Sequence, residues 1–88
     1  MTFALRYHLE VKATDLPSID NRSKRRIKKA IEERLSVAPQ DYGRPLRKTL
    51  KGYWKMRVGD YRIVFKVTGD EIVILGIRHR KDVYRKIS

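Results

Sequence analysis

The stretch YWKMRVGDYRIVF, from Tyr53 to Phe65, alternates apolar and polar side chains on either side of a Gly-Asp pair. Alternation with period two is typical of a strand with one buried face, and Gly readily adopts the positive φ that a two-residue turn requires. The stretch therefore predicts a β-hairpin that turns at Gly59-Asp60. In this register Arg57 lies directly opposite Arg62, and Lys55 lies diagonally from Arg62 on the same face.

Three cations on one face of a hairpin repel each other, and like charges directly opposite cost a few tenths of a kcal/mol. Either these side chains extend into water at that small cost, or they bind an anion such as phosphate, whose oxygens match the guanidinium fork. The anion is favoured because basic residues continue beyond the hairpin. These are Arg44, Arg47, Lys48 and Lys51 before it, and Arg78, Arg80 and Lys81 after the last predicted strand.

The first half of the chain predicts a strand and a helix. Apolar residues alternate from Phe3 to Val11, which predicts a strand with one buried face. Pro17 is suited to open a short helical turn, and apolar residues then recur with helical period from Ser23 to Val37. Pro39 predicts the end of that helix, and PQDYGRP, residues 39–45, predicts a loop. The candidate N-caps of the helix are Ser18, Asp20 and Asn21.

The second half predicts a central strand and a short terminal helix. Gly69-Asp70 marks a second tight turn. The nearly continuous apolar run from Ile72 to Ile77 predicts a strand that is covered on both faces. Val83 and Ile87, four residues apart, predict a short C-terminal helix. The pattern is β-α-β-β-β with that helix at the end. It describes one α+β domain over residues 1–88, in which helices cover one face of a small antiparallel sheet.

Composition points to a nucleic-acid partner. The 88 residues include 22 Lys and Arg but 10 Asp and Glu, which gives a net charge of +12 and a pI of about 10.4. This balance is typical of nucleic-acid-binding proteins, although a solvated basic surface on an ordinary domain gives the same numbers. The chain has no cysteine, which excludes disulfides and favours a reducing cytoplasm. No apolar run is long enough to span a bilayer, so no membrane partner is expected.

Two blocks of sequence carry a family resemblance. LKGYWKMRVGDYRIVFKV followed by ILGIRHRKDVY resembles the RelE/ParE superfamily of bacterial and archaeal toxins, and within it the RelE branch, the mRNA interferases. The match runs from about Leu46 to Tyr84, and the predicted strand and helix before it are compatible. The resemblance implies a fold related to microbial ribonucleases, cleavage of mRNA in the ribosomal A site, and neutralisation by a cognate acidic antitoxin.

The resemblance also implies roles for individual residues. These are a general base at Lys55, a further basic residue at Arg57, a ligand of the scissile phosphate at Arg62, an acid or phosphate ligand at Arg78, and a tyrosine that stacks on or orients the nucleotide at Tyr84. His79 matches the general acid that some relatives use. Those relatives can also use a glutamate before the central strand, and no carboxylate lies between Arg44 and Tyr53.

Arg78 and His79 compete for a place in the site. If Gly69-Asp70 forms an ideal two-residue turn, Arg62 pairs with Ile77. His79 then shares the face of Arg62, and Arg78 points to the other face. The resemblance favours Arg78 instead. A bulge, or twist where the ladder ends, would bring both side chains into the site, so both remain candidates.

Three classes of function follow from these observations. The leading one is a toxin that cleaves mRNA with no cofactor, because RNA supplies its own 2′-OH nucleophile and arginines supply positive charge. No metal site is expected, since the chain lacks cysteine and has two histidines, His8 and His79. The alternatives are a ParE-like inhibitor of DNA gyrase with the same fold, and a passive basic RNA-binding protein. The complete set of RelE-type residues argues against the first alternative, and the Arg-Arg pair across a hairpin argues against the second.

Overall fold

The structure is a computed structural model, and it describes residues 2–46 and 52–80. Strand β1 (Ala4–Tyr7) leads into a π-helical turn (Val11–Asp15) and a 3-10 turn (Leu16–Ser18). Helix α1 (Asn21–Ala30) continues as a π-helical segment (Ile31–Leu35), and the short helix α2 (Pro39–Tyr42) follows it. The remaining described elements are strands: β2 (Arg44–Pro45), β3 (Tyr53–Val58), β4 (Tyr61–Thr68) and β5 (Glu71–His79).

The described strands form one sheet in the order β1-β5-β4-β3-β2. Neighbours from β2 to β5 are antiparallel, as predicted, but β1 pairs with β5 in parallel. The α+β class is confirmed, and the expectation of a purely antiparallel sheet is wrong at β1. Two-residue turns force neighbouring strands to run in opposite directions, whereas the long helical connection after β1 does not.

Helices cover one face of the sheet, as predicted. Ile27, Ile31 and Leu35 are each at most 1% exposed and share a buried cluster with Ile63 and Phe65, which are fully buried. The helical stripe therefore meets the apolar side of the hairpin. Side chains that alternate with the buried ones on β3, β4 and β5 lie on the opposite side of the sheet, here called the open face.

Asp20 is the N-cap that α1 uses, and Pro17 lies in the predicted short turn. The Ser23 N–H donates a hydrogen bond of 3.0 Å to Oδ2 of Asp20. This hydrogen bond lowers the pKa of the Asp20 carboxyl, because a carboxylate is a better acceptor than a carboxylic acid. The cap orients the start of α1 so that its apolar stripe faces the sheet.

Strand β1 is shorter than the alternation predicts. It ends at Tyr7, Leu9 is 76% exposed, and Val11 reaches the core from the π-helical turn. The His8 N–H still donates to the carbonyl of Ile74 at 2.8 Å, after which the Val11 N–H donates back to the carbonyl of His8. Alternation places the boundary wrongly because a residue buried from a turn resembles one more inward-facing strand residue.

The segment predicted as a loop contains α2 and β2. The helical segment ends at Leu35, before Pro39 as predicted, but Pro39 also opens a further helix, because the first residue of a helix needs no N–H. Gly43 then passes so close to Phe65 that a Cβ on Gly43 would lie 2.6 Å from the ring. This close packing leads directly into β2, which lies beside β3.

Strand β5 lies inside the sheet, between β1 and β4, as predicted. The apolar run was predicted to be covered on both faces of the sheet. One face is covered, since Ile72 and Ile74 are fully buried, but Val73 and Leu75 are only half-buried. The predicted C-terminal helix lies outside the described residues. Within residues 2–46 and 52–80, no helix has the length and apolar character needed to cross a membrane.

Candidate active site

The hairpin adopts the predicted register. Arg57 pairs with Arg62, and Met56 pairs with Ile63. Met56 and Ile63 are buried in the core, so the alternating side chains of Arg57 and Arg62 lie on the open face. Lys55 lies two residues before Arg57 and shares that face. The structure therefore brings the three predicted cations together.

Strand β2 adds a fourth cation that faces Lys55. Arg44 pairs with Lys55 across the β2–β3 ladder. The resulting depression, here called the basic cleft, has a volume of about 450 Å³ and is lined by Tyr42, Arg44, Lys55, Met56, Arg57 and Arg62. Tyr42 is 52% exposed. The sequence did not single out Tyr42, because residues 39–45 were predicted to form a loop. The signal that could have placed Tyr42 on a helix is Pro39, since proline is favoured at the first position of a helix.

No described carboxylate forms a direct ion pair with the cations that line the basic cleft. Among the described residues, ion pairs within 4 Å join Arg6 to Glu71 and Arg78 to Asp15, and none involves Lys55, Arg57 or Arg62. Repulsion between the cleft cations is therefore left for solvent or a bound anion to relieve.

A β-bulge decides the competition between Arg78 and His79. The β4–β5 register shifts between Val64 and Phe65, and β5 accommodates Leu75 as an extra residue. A shift of one residue exchanges the faces on which all later side chains of β5 lie. The pairing expected from an ideal turn is therefore wrong beyond the bulge.

Arg78 now pairs with Arg62, which in turn pairs with Arg57. These three residues form a line across β3, β4 and β5 on the open face, here called the arginine row. His79 pairs with Tyr61 instead, and the two rings meet edge to face with centroids 5.0 Å apart. Because Tyr61 and Arg62 are consecutive strand residues, His79 lies on the face opposite to the arginine row.

Arg78 belongs to the arginine row but does not line the basic cleft. Its Nη1 pairs with Oδ1 of Asp15, a residue that is 4% exposed. Asp15 was not among the predicted site residues. The sequence signal that could have drawn attention to Asp15 is the scarcity of carboxylates, since the chain has 10 acidic residues against 22 basic ones.

Of the other predicted site residues, some lie in the described part of the chain and some lie outside it. Arg80 is exposed, and its backbone N–H donates to the carbonyl of Asp60 at 2.7 Å, which ties the end of β5 to the hairpin turn. The candidates outside the described residues are Tyr84, Arg47, Lys48, Lys51 and Lys81. In the part of the chain that the structure describes, no group of three or more His, Asp and Glu side chains is arranged to hold a metal ion.

The basic cleft has the chemistry of a phosphate site. Two guanidinium groups on adjacent strands offer forked donors that match the geometry of phosphate oxygens. Lys55 adds a third positive charge beside them. The cleft rests on a hairpin whose other face is buried, so the cations are held by a rigid element.

Comparison with known sequences identifies relatives over most of the chain. The sequence model described as "ParE toxin of type II toxin-antitoxin system, parDE" matches residues 7–84. The toxin RelE3 of Methanocaldococcus jannaschii is 38% identical over 74 residues, which cover 80% of this chain and 83% of RelE3. The toxin RelG of Mycobacterium tuberculosis is 39% identical over 54 residues, which cover 59% of this chain and 62% of RelG.

Comparison with solved structures gives the same result. The toxin–antitoxin complex RelBE2 of Mycobacterium tuberculosis contains a chain that matches with a TM-score of 0.84 and 27% identity, over 91% of this chain and 100% of that one. The RelB–RelE complex of Methanococcus jannaschii contains a chain that matches with a TM-score of 0.74 and 29% identity, over 94% and 99%.

A helix-backed sheet with a basic open face, together with these relatives, defines a toxin of the type II toxin–antitoxin class. The chain belongs to the RelE/ParE toxin superfamily. Its named relatives at 38% and 39% identity are Rel toxins.

Proposed function

We propose that this toxin is an endoribonuclease that cuts mRNA in the ribosomal A site through attack of the RNA's own 2′-OH. The observation that carries this proposal is the basic cleft, where Lys55, Arg57 and Arg62 converge with no described carboxylate within 4 Å. An RNA substrate brings its own nucleophile. The protein needs to hold the phosphate, stabilise its added charge and move protons. The proposed activity needs no cofactor and belongs in the cytoplasm, where ribosomes are.

Each cleft residue has a role in that reaction. Arg57 and Arg62 bind the non-bridging oxygens of the scissile phosphate and stabilise its added negative charge. Lys55 accepts the 2′-OH proton or stabilises the developing charge. The exposed ring of Tyr42 offers a surface on which a base stacks. Arg44 lines the same cleft and binds a neighbouring phosphate.

Residues around the cleft complete the proposal. Arg78 protonates the leaving oxygen or binds the phosphate, and Tyr84 orients the nucleotide, as in the family that the chain resembles. Other basic residues bind the RNA backbone on either side of the cut. They are Arg47, Lys48, Lys51, Arg80 and Lys81. His79 receives no role, because it lies on the opposite face of β5.

Inhibition of DNA gyrase is the second candidate function, because the family description names ParE. Two assays on the same purified toxin separate the candidates: protein synthesis from a defined mRNA with mapping of cut sites, and supercoiling by DNA gyrase. We expect translation to stop with cuts in the mRNA, and supercoiling to continue. Inhibited supercoiling with intact mRNA would replace our proposal with the gyrase function. Intact mRNA with active gyrase would leave a passive RNA-binding protein.

A cognate antitoxin is the proposed protein partner, because the matched structures are complexes of RelE-type toxins with RelB-type antitoxins. A surface with a net charge of +12 favours an acidic segment that folds on binding. We expect a small acidic protein to co-purify with the toxin from its native operon. The complex should weaken as salt rises, to the extent that exposed charges hold it together. Recovery of a non-toxic monomer without a partner would contradict this expectation.

A further inference from the structure

Asp15 is a buried carboxylate with two partners on β5. Its Oδ2 accepts a hydrogen bond of 2.9 Å from the Ile77 N–H, and its Oδ1 pairs with Nη1 of Arg78. The backbone carbonyl of Asp15 accepts a hydrogen bond of 2.8 Å from the Ser18 hydroxyl. The two carboxylate oxygens therefore bind two consecutive residues of β5, one through its backbone and one through its side chain.

The place of Asp15 in the fold explains these bonds. Strand β1 pairs with β5 as far as Ile74, and the edge of β5 beyond that residue would have no partner from β1. Asp15 arrives from the turn after β1 and satisfies the Ile77 N–H at this edge. Burial of a carboxylate is costly unless charge and hydrogen bonds offset it, and Arg78 supplies the charge.

The ion pair has consequences for Arg78. The Arg78 side chain is 37% exposed, whereas that of Asp15 is 3% exposed, so solvent reaches the arginine but hardly the carboxylate. A guanidinium group has five N–H donors in a planar fork, and Asp15 binds at Nη1. The other donors remain for a ligand. The negative charge of Asp15 also offsets repulsion between Arg78 and Arg62, its neighbour in the arginine row.

We propose that Asp15 is a positioning residue that holds Arg78 at the end of the arginine row, so that its remaining donors meet an RNA phosphate next to the basic cleft. The proposal rests on RNA as the ligand of that cleft, as proposed above. It assigns Asp15 a function through Arg78 and no contact with RNA.

An effect of net charge and an effect through the position of Arg78 predict opposite changes in RNA binding when Asp15 is replaced. Asp15→Asn keeps an oxygen that accepts from the Ile77 N–H but removes the charge that holds Arg78. If net charge alone mattered, a more basic protein would bind RNA more tightly. If Asp15 positions Arg78, the variant binds more weakly, by about tenfold, the size expected when a hydrogen bond between charged groups is lost.

The experiment measures binding of a short single-stranded 2′-O-methyl RNA, which cannot be cut by 2′-OH attack. Asp70→Asn is the matched control, because Asp70 is exposed and lies in the turn before β5, at the other end of the strand. We expect equal or tighter binding by Asp70→Asn and weaker binding by Asp15→Asn. Arg78→Ala should bind weakly, and adding Asp15→Asn to it should change nothing further. Equal shifts in both Asn variants, or additive losses in the double variant, would overturn the proposal.

A measurement on the wild-type protein tests the proposal even if the Asp15 variant fails to fold. The NMR signal of the Arg78 side-chain Nε–H, identified by its loss in Arg78→Lys, should show slow hydrogen exchange and restricted rotation. A freely rotating Arg78 would overturn the proposal without any Asp15 variant. Failure of the proposed function has a different signature, since a wild-type protein that neither cuts nor binds RNA can still show an ordered Arg78. In that case the positioning of Arg78 stands but RNA is not its ligand.

Discussion

Arg62→Ala should lower the rate of mRNA cleavage by about a hundredfold to a thousandfold, the loss typical of removing one donor to a charged transition state. Its melting temperature should stay unchanged or rise. Arg62 lies at the centre of the arginine row, opposite Arg57 and next to Lys55. Removing it deletes a donor to the phosphate and at the same time relieves repulsion in the empty cleft. The simultaneous change of Lys55 and Arg57 to Ala should have the same two effects.

Arg25→Ala is the control for this experiment, because it removes the same charge from an exposed position on α1, away from the open face. Cleavage in a programmed ribosome and thermal unfolding are measured on all the variants. Near-normal cleavage by Arg25→Ala and slow cleavage by Arg62→Ala would separate a specific phosphate contact from loss of net charge. A much lower melting temperature for Arg62→Ala would mean that the cations stabilise the fold, which contradicts the proposed role of the cleft.

Local patterns predict the hairpin and its cations because every constraint there lies within a few residues. Alternation defines the buried face, and the turn at Gly59-Asp60 sets the register, with Gly59 at a φ of +58°. Arg57 and Arg62 are therefore placed opposite each other before any tertiary contact is considered. The helical stripe of α1 is predictable for the same reason.

The other half of the site depends on non-local features. The bulge at Leu75 lies inside an almost wholly apolar strand, where alternation cannot show an extra residue. This single residue places Arg78 on the face of Arg62 and His79 on the other. The contact of Asp15 with Arg78 joins residues 63 positions apart, and no local pattern indicates it. The family resemblance favours Arg78 as a site residue, and the register of β4 and β5 places Arg78 opposite Arg62.

Replacement of the ribose 2′-OH by hydrogen at the cut position of an mRNA should abolish cleavage at that position. In the proposed reaction this hydroxyl is the nucleophile, so no other group of the chain or substrate can replace it. The products from normal RNA should carry a 2′,3′-cyclic phosphate or 3′-phosphate upstream and a 5′-OH downstream. Treatment of the purified toxin with excess chelator, which is removed before the toxin meets the ribosome, should leave cleavage unchanged, because Arg57 and Arg62 supply the positive charge that a metal would otherwise provide.

The ribosome makes this test stringent. The basic cleft holds no strong base beside Lys55 among its lining residues, so we expect the protein alone to cut free RNA slowly. A ribosome that fixes the nucleotide in the in-line geometry supplies this orientation. In well-oriented reactions, such positioning lowers the activation barrier by up to about 7–11 kcal/mol. The deoxy-substituted mRNA is therefore presented in a programmed ribosome, beside the same mRNA with the deoxy position moved one codon away. The moved substitution should leave cleavage unchanged. Undiminished cutting at the deoxy position would rule out 2′-OH attack and, with it, the roles proposed for Lys55, Arg57 and Arg62.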